Sequence, residues 1–250
     1  MGTINDIKYP ENQRIIDRMR EEITSAFGSD EWDKITCCGC PAVDMDKLQL
    51  SMATQSLFAQ IDDFTDRQKT KAAITNVKHA LRHSDFAWAR EKFLQYNDID
   101  LFAEAVYQDS IDILQQCAET KKLFYGQPIT HKTLTYLKSI DDLFYGKREG
   151  NIITATAIPY MTENYLHAKD DRIKRYNACH CQFARESILT DKPVSETLCY
   201  CSLGHTKVFW ETALDAKLEG DVLQSALKGD VFCKFAIYLP NSVIEKYVCS

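Results

Sequence analysis

The fold is decided near the end of the chain, by the stretch LEGDVLQSALKGDVFCKFAIYLP at residues 218–240. It holds two runs in which apolar and polar residues alternate, a pattern typical of strands with one buried face. A Lys-Gly-Asp sequence at 228–230 separates the two runs and favours a turn. The stretch therefore predicts a β-hairpin.

The residues before this hairpin predict a mixture of helix and strand. The β-branched run at 151–159 indicates a strand, and residues 204–215 indicate a helix. A helix is also expected around 161–167, and 172–181 is compatible with either strand or helix. We expect 149–250 to form one cysteine-rich α+β region.

Residues 1–148 predict a helical region that precedes it. Apolar residues recur at helical spacing there, and Pro10 is suited to a first helical turn. The expected helices run over 15–27, Asp44–Asp62, a segment capped by Thr65 or Asp66 that reaches Leu81, 86–94, 101–124 and 130–144. The predicted fold class is α+β, with a helical N-terminal half followed by a small antiparallel sheet that has helices packed on one face.

Composition narrows the classes of function. The chain has 250 residues, 45% hydrophobic and 26% charged, which is ordinary for a globular protein. A net charge of −6 argues against nucleic acid as a partner. No segment resembles a signal peptide or a membrane span, so we expect a cytoplasmic protein without a membrane partner. The oligomeric state stays open, and a homo-oligomer is compatible with the sequence.

Cysteines carry the strongest chemical signal. Ten are present, and a reducing compartment disfavours structural disulfides. Five of the six cysteines in the C-terminal region, two Cys-x-Cys pairs and one single residue, are the candidate metal ligands: Cys179, Cys181, Cys199, Cys201 and Cys233. On an extended strand both thiols of a Cys-x-Cys pair face the same way, so the pairs could converge on one site. Three alternatives stay open, which are buried thiols without metal, a zinc site and, least favoured, an iron–sulfur cluster.

Other residues are weaker candidates for chemistry. If the protein is an enzyme, His180 and His205 are the candidate acid–base residues, and Cys199 and Cys201 are the candidate nucleophiles. His79 and His83 have the spacing of metal ligands on a helix, but a solvated helix face is the favoured interpretation.

A third group of cysteines lies nearer the N-terminus. Cys37, Cys38 and Cys40 share a turn with a glycine and a proline, and the sequence does not decide whether they join the site.

The hairpin and the helix before it resemble 4-vinyl reductase domains over about 60 residues, or about 90 if 179–181 is included. The residues that carry the resemblance are Cys199-Tyr200-Cys201, Gly204, Trp210-Glu211, Val222-Leu223, Ser225, Gly229-Asp230 and Cys233-Lys234-Phe235. The ending is also similar to L-2-amino-thiazoline-4-carboxylic acid hydrolase proteins. The resemblance implies bacterial relatives of unassigned function.

The related sensor domains of phenol-responsive regulators hold zinc through a Cys, a Glu and two further Cys. By resemblance Cys199 and Cys233 match two of these ligands, whereas Val222 and Ser225 occupy the Glu and middle Cys positions. A zinc site here would therefore have to recruit other thiols, from Cys201, Cys179 or Cys181.

Two functions follow from these observations. The first is a small-molecule-binding protein of the 4-vinyl reductase type with a cysteine-rich, metal-binding site. The alternative is a cysteine-dependent hydrolase of a small amide- or thiazoline-like substrate. No phosphate-binding loop, nucleophile elbow or nucleotide fingerprint is present.

Overall fold

The computed structural model describes residues 12–37, 39–64 and 66–248. The predictions that involve Pro10, Thr65, Cys38 and the chain ends lie outside these ranges. Within them the α-helices are α1 (Asn12–Phe27), α2 (Ser29–Thr36), α3 (Lys47–Asp62), α4 (Arg67–Val77), α5 (Ala87–Tyr96), α6 (Ile99–Thr120), α7 (His131–Lys138), α8 (Thr162–His167), α9 (Asp171–Ala178), α10 (Tyr200–Leu214) and α11 (Asn241–Tyr247). The strands are β1 (Leu123–Phe124), β2 (Gln127–Pro128), β3 (Lys147–Glu149), β4 (Ile152–Thr156), β5 (Glu219–Gln224) and β6 (Lys234–Tyr238).

The predicted hairpin is confirmed. Strands β5 and β6 pair antiparallel with a bulge near Val222, and β6 also pairs with β4. The resulting four-stranded sheet has the order β3-β4-β6-β5. The connection over 225–233 is longer than a two-residue turn, and Gly229 permits its bend with a φ of 116°. The α+β class is therefore confirmed, and β1 and β2 form a second small sheet.

Helix α10 is the centre of the molecule. It packs on α4, α5 and β5, and Phe209 and Trp210 are fully buried within it. The indole Nε1 of Trp210 donates to the carbonyl of Tyr145 at 2.7 Å, so this buried polar group is satisfied. Gly204 faces the end of α4, where a Cβ would clash with the carbonyl of Thr75. The glycine therefore allows α10 to touch the residues that follow α4.

The N-terminal helices are present, but their ends differ from the prediction. Helix α3 begins at Lys47, because Asp46 caps it and forms a capping box with Gln49. The helix expected over 101–124 ends at Thr120, and the one expected over 130–144 ends at Lys138. Helix α2 was not predicted. Residues 172–181, for which strand and helix were both possible, belong to α9 and to the extended segment that follows it.

The predicted division at residue 148 falls inside β3, which pairs with β4. The larger hydrophobic core contains Ile23 and Phe58 from the first part and Phe209 and Ile237 from the second. No helix in the described part of the chain is long and apolar enough to cross a membrane.

Candidate functional site

Four cysteines surround the start of β6, and we name Cys179, Cys181, Cys199 and Cys233 the thiol group. They lie close enough to influence one another electrostatically. Burial raises the pKa of Cys179 well above its usual value, and the other three thiols raise it further. Cys199 behaves in the same way, with Cys233 and Cys181 among the causes. The structure therefore brings together four of the five predicted ligands.

Local structure explains how these residues meet. Cys179 is the C-cap of α9 and is 4% exposed, and Cys181 follows it in the extended segment. Cys199 ends a short 3-10 helix over Glu196–Cys199, and Cys233 immediately precedes β6. The hairpin thus places one thiol against three that arrive from the segments before α10.

Cys201 lies within electrostatic range of Cys181, but it does not share the direction of Cys199, so the expectation of a shared direction for this pair is wrong. Cys199-Tyr200-Cys201 is helical rather than extended, because α10 begins at Tyr200. Residues two apart on a helix differ by about 200° in direction. Cys201 is buried behind the turn after α4, where its Sγ accepts a hydrogen bond from the His79 N–H at 3.3 Å.

Polar groups near each of the five sulfurs favour the thiolate form. The backbone of Cys181 lowers the pKa of Cys179, and the backbones of Phe183 and Ala184 lower that of Cys181. The Ser225 hydroxyl lowers the pKa of Cys199, and the backbone of Ala226 lowers that of Cys233. A neutral thiol is a weak acceptor, so this arrangement suits the thiolate form.

Burial nevertheless keeps these thiols protonated at neutral pH. It raises the pKa of Cys181 to about 11 and that of Cys201 to about 12, and it raises the pKa of Cys233 as well. Desolvation is the largest cause of the shift in each of these thiols, and it outweighs the hydrogen bonds. All described cysteines are free thiols.

Three histidines lie next to the thiols. The ring of His79 stacks on His205 at 5.5 Å, and Phe86 meets the edge of His205 at 5.7 Å. Burial lowers the pKa of His79 to about 4 and that of His205 to about 3. His180 lies within electrostatic range of both, and this interior therefore holds neutral imidazoles.

The solvated face expected for His79 is wrong. Helix α4 ends at Val77, and Lys78, His79 and Ala80 all have left-handed backbone angles, with φ from 50° to 56°. The turn carries the His79 ring inward. His83 lies in a separate 3-10 helix, exposed and bound to Thr212 at 2.8 Å. The two histidines therefore do not share a helix face.

His180 is held away from the thiols beside it. Its Nε2 lies 2.6 Å from the carbonyl oxygen of Ile158. A carbonyl oxygen can only accept, so Nε2 carries the proton and donates. The ring of Tyr160 meets the His180 ring edge-on at 5.4 Å. Although part of the residue is exposed, the protein around the ring disfavours the imidazolium and lowers its pKa.

The N-terminal cysteines lie between α2 and α3. Cys37 is exposed, and Cys40 is half-buried with a pKa raised by burial, which the charge of Arg20 opposes. The four cysteines of the thiol group do not contribute to this pKa shift. Cys38 lies outside the described residues. Cys117 is buried in a second, smaller core.

Metal geometry is not preformed in the described ranges. There, no three His, Cys, Asp or Glu side chains are arranged to hold one metal ion. Binding at the thiol group therefore requires the sulfurs to turn toward a common centre. The chemistry that the arrangement offers is soft-metal ligation, since its donors are sulfur and imidazole nitrogen.

Comparison with other proteins adds no relative. No protein-family model, characterised protein or solved structure matches the chain.

Sequence reasoning missed two residues of this region. Ser225 is fully buried and influences the Cys199 sulfur. In the sequence, the one indication of this is that Ser225 stands at the position of a zinc-binding cysteine in the sensor domains of phenol-responsive regulators. His79 was assigned to solvent, and nothing in Lys78-His79-Ala80 signals a left-handed turn.

Proposed function

We propose that this chain is a small-molecule-binding protein whose C-terminal region is held together by zinc on the four sulfurs of the thiol group. The observation that carries the metal is that the four sulfurs lie within electrostatic range of one another, beside backbone groups and a hydroxyl that favour the thiolate. Second-shell donors of this kind orient metal ligands and stabilise the ligating form.

Charge supports the same conclusion. Burial raises the pKa of all four neighbouring thiols, so they cannot all ionise unless a cation supplies the compensating charge. A zinc dication would provide that charge and displace the thiol protons. Structural zinc takes four sulfur or nitrogen ligands in a tetrahedral arrangement, and the thiol group supplies four.

The positions of the ligands suggest what the metal does. Cys179 and Cys181 follow α9, Cys199 precedes α10, and Cys233 precedes β6. A single ion would therefore join two helices to the hairpin. Its binding free energy would add to the folding free energy of this region. This is the role of a structural metal.

Cys201 is not among the proposed ligands. Its sulfur is engaged by the His79 N–H, and it belongs to the side of the site where the imidazoles stack.

The hydrolase alternative gains less from the geometry. A cysteine nucleophile needs a thiolate near neutral pH, usually beside an imidazolium or another cation. Here the pKa of Cys201 is raised to about 12, and that of His79 is lowered to about 4. The group of His79 that bonds to the sulfur is its backbone N–H. The pair therefore lacks the thiol–imidazole hydrogen bond of a catalytic dyad.

A zinc titration of reduced, metal-free protein tests the proposal. In competition with a coloured chelator, we expect one zinc per chain to bind. Cys179→Ser and Cys233→Ser should each abolish high-affinity binding, whereas Cys117→Ser, in the separate core, should leave it unchanged. No binding, or equal loss in all three variants, would refute the zinc site.

A further inference from the structure

A surface groove of about 840 Å³ lies between the end of α4, the start of α5 and one side of α10. We name it the Lys78 groove. Thr75 and Lys78 form one wall, Arg90 lines another, and Lys207 and Glu211 of α10 lie on the third side. A second depression of about 450 Å³ lies beyond the turn and shares Lys78 and His83. Lys78 is therefore in contact with both.

Two amines in this groove, those of Lys78 and Lys217, form no ion pair with a carboxylate of the described residues, and of the two only Lys78 is half-buried. Lys207 pairs with Glu211 at 3.7 Å, and Arg90 donates to the carbonyl of Ala213 at 2.7 Å. Among residues 12–37, 39–64 and 66–248, no carboxylate forms an ion pair with Lys78. A half-buried ammonium in this position is poorly solvated and poorly compensated.

The backbone of the turn that positions the Lys78 amine is strained. Three consecutive non-glycine residues in the left-handed region are rare, and each costs about 1–2 kcal/mol. The turn directs Lys78 to the groove and its neighbour His79 to the interior. Strain of this kind persists where the surrounding structure over-determines it, which occurs preferentially at functional sites.

We propose that the Lys78 groove binds a small molecule through an anionic group, a carboxylate or a phosphate, with the Lys78 ammonium as its anchor. Basic side chains outnumber acidic ones around both depressions, which favours an anion electrostatically. The proposal deepens the small-molecule binding proposed above and rests on it, but it does not depend on the metal.

The ionisation of Lys78 agrees with this assignment. Burial is the main cause that lowers its pKa. The attraction of Glu211 is the largest effect of a charge and raises the pKa, whereas Arg18 and Lys207 lower it and Glu22 raises it slightly. A bound anion would supply the missing negative charge and raise the pKa toward its usual value.

Protection of lysines from acetylation tests the proposal on the full chain. Trace labelling with acetic anhydride, read by mass spectrometry, would be run with inorganic phosphate, with succinate and with chloride at matched ionic strength. We expect phosphate or succinate to slow labelling of Lys78 several-fold. Labelling of Lys122, which is exposed and lines neither depression, should change little. The anion that protects identifies the class, phosphate or carboxylate.

Two variants complete the test. The protecting anion should raise the melting temperature of Lys122→Met as much as that of the native chain, and should not raise that of Lys78→Met. Equal slowing at Lys78 and Lys122 would mean general screening, and no slowing at Lys78 would mean no site. Either result would overturn the anion site, and neither would affect zinc binding.

Discussion

The backbone N–H of His79 donates to the Sγ of Cys201 at 3.3 Å, across 122 residues of sequence. This bond joins the turn after α4 to the first turn of α10. The same turn places the His79 ring on His205 and Lys78 in the surface groove. One short segment thus connects the thiol-rich interior with the proposed anion site.

Replacing Ala80 tests whether the left-handed turn is strained. Ala80 has a φ of 56°, which glycine adopts without the steric cost of a Cβ. We expect Ala80→Gly to raise the free energy of unfolding by about 1 kcal/mol. The matched control is Ala72→Gly on the exposed face of α4, which should lower it by about 1 kcal/mol. Chemical denaturation measures both, and destabilisation by both substitutions would contradict the strain.

The sequence predicted what periodicity encodes and missed what tertiary contacts impose. The hairpin and α10 were found, but burial does not alternate along the strands: Phe235, Ala236 and Ile237 of β6 are all buried, and no residue of β5 is fully buried. The pattern of α4 continues through Ala80 and Leu81, and no glycine marks its end. Contacts of His79 with Cys201 and His205 decide that turn, and such contacts join residues distant in the chain.

Cys179, Cys181, Cys199 and Cys233 lie within electrostatic range of one another, because the hairpin returns to the segments before α10. That they bind a metal stays a prediction. The strand geometry that should have aligned Cys199 with Cys201 is replaced by helix. The spacing of a Cys-x-Cys pair is the same in both structures, so spacing alone could not distinguish them.

The buried imidazoles predict loss of stability in acid. Their pKa values fall from 6.5 to about 4 for His79 and about 3 for His205, so below pH 6.5 the unfolded chain binds more protons than the folded chain. Stability should therefore fall as the pH drops from 7 toward 4. By pH 5 the loss is on the order of 2 kcal/mol for each histidine.

Denaturation of metal-free protein at pH 7 and pH 5 measures this effect. His205→Phe keeps an aromatic ring against Phe86 and should remove roughly half of the loss. His167→Gln, exposed beside Glu163, should keep all of it. An unchanged pH dependence in His205→Phe would show that the ring does not titrate on unfolding.

Ser225 provides a test of the donors around the sulfurs. Its hydroxyl donates to Cys199 and accepts from the Lys228 N–H at 3.1 Å. We expect Ser225→Ala to weaken zinc binding by about 10- to 100-fold, as loss of a second-shell partner does. Ser139→Ala, at an exposed helix end, is the control. Unaltered zinc affinity in Ser225→Ala would show that this hydroxyl does not contribute to metal binding.

A native mass spectrum of the protein purified under reducing conditions without oxygen tests the central claim most directly. We predict a mass excess of one zinc ion per chain, with four protons displaced by the thiol group. The excess should be absent from Cys199→Ser and present in Cys201→Ser, because Cys201 faces the imidazoles. A chain without added mass, or an excess that disappears with Cys201 and persists without Cys199, would contradict the account.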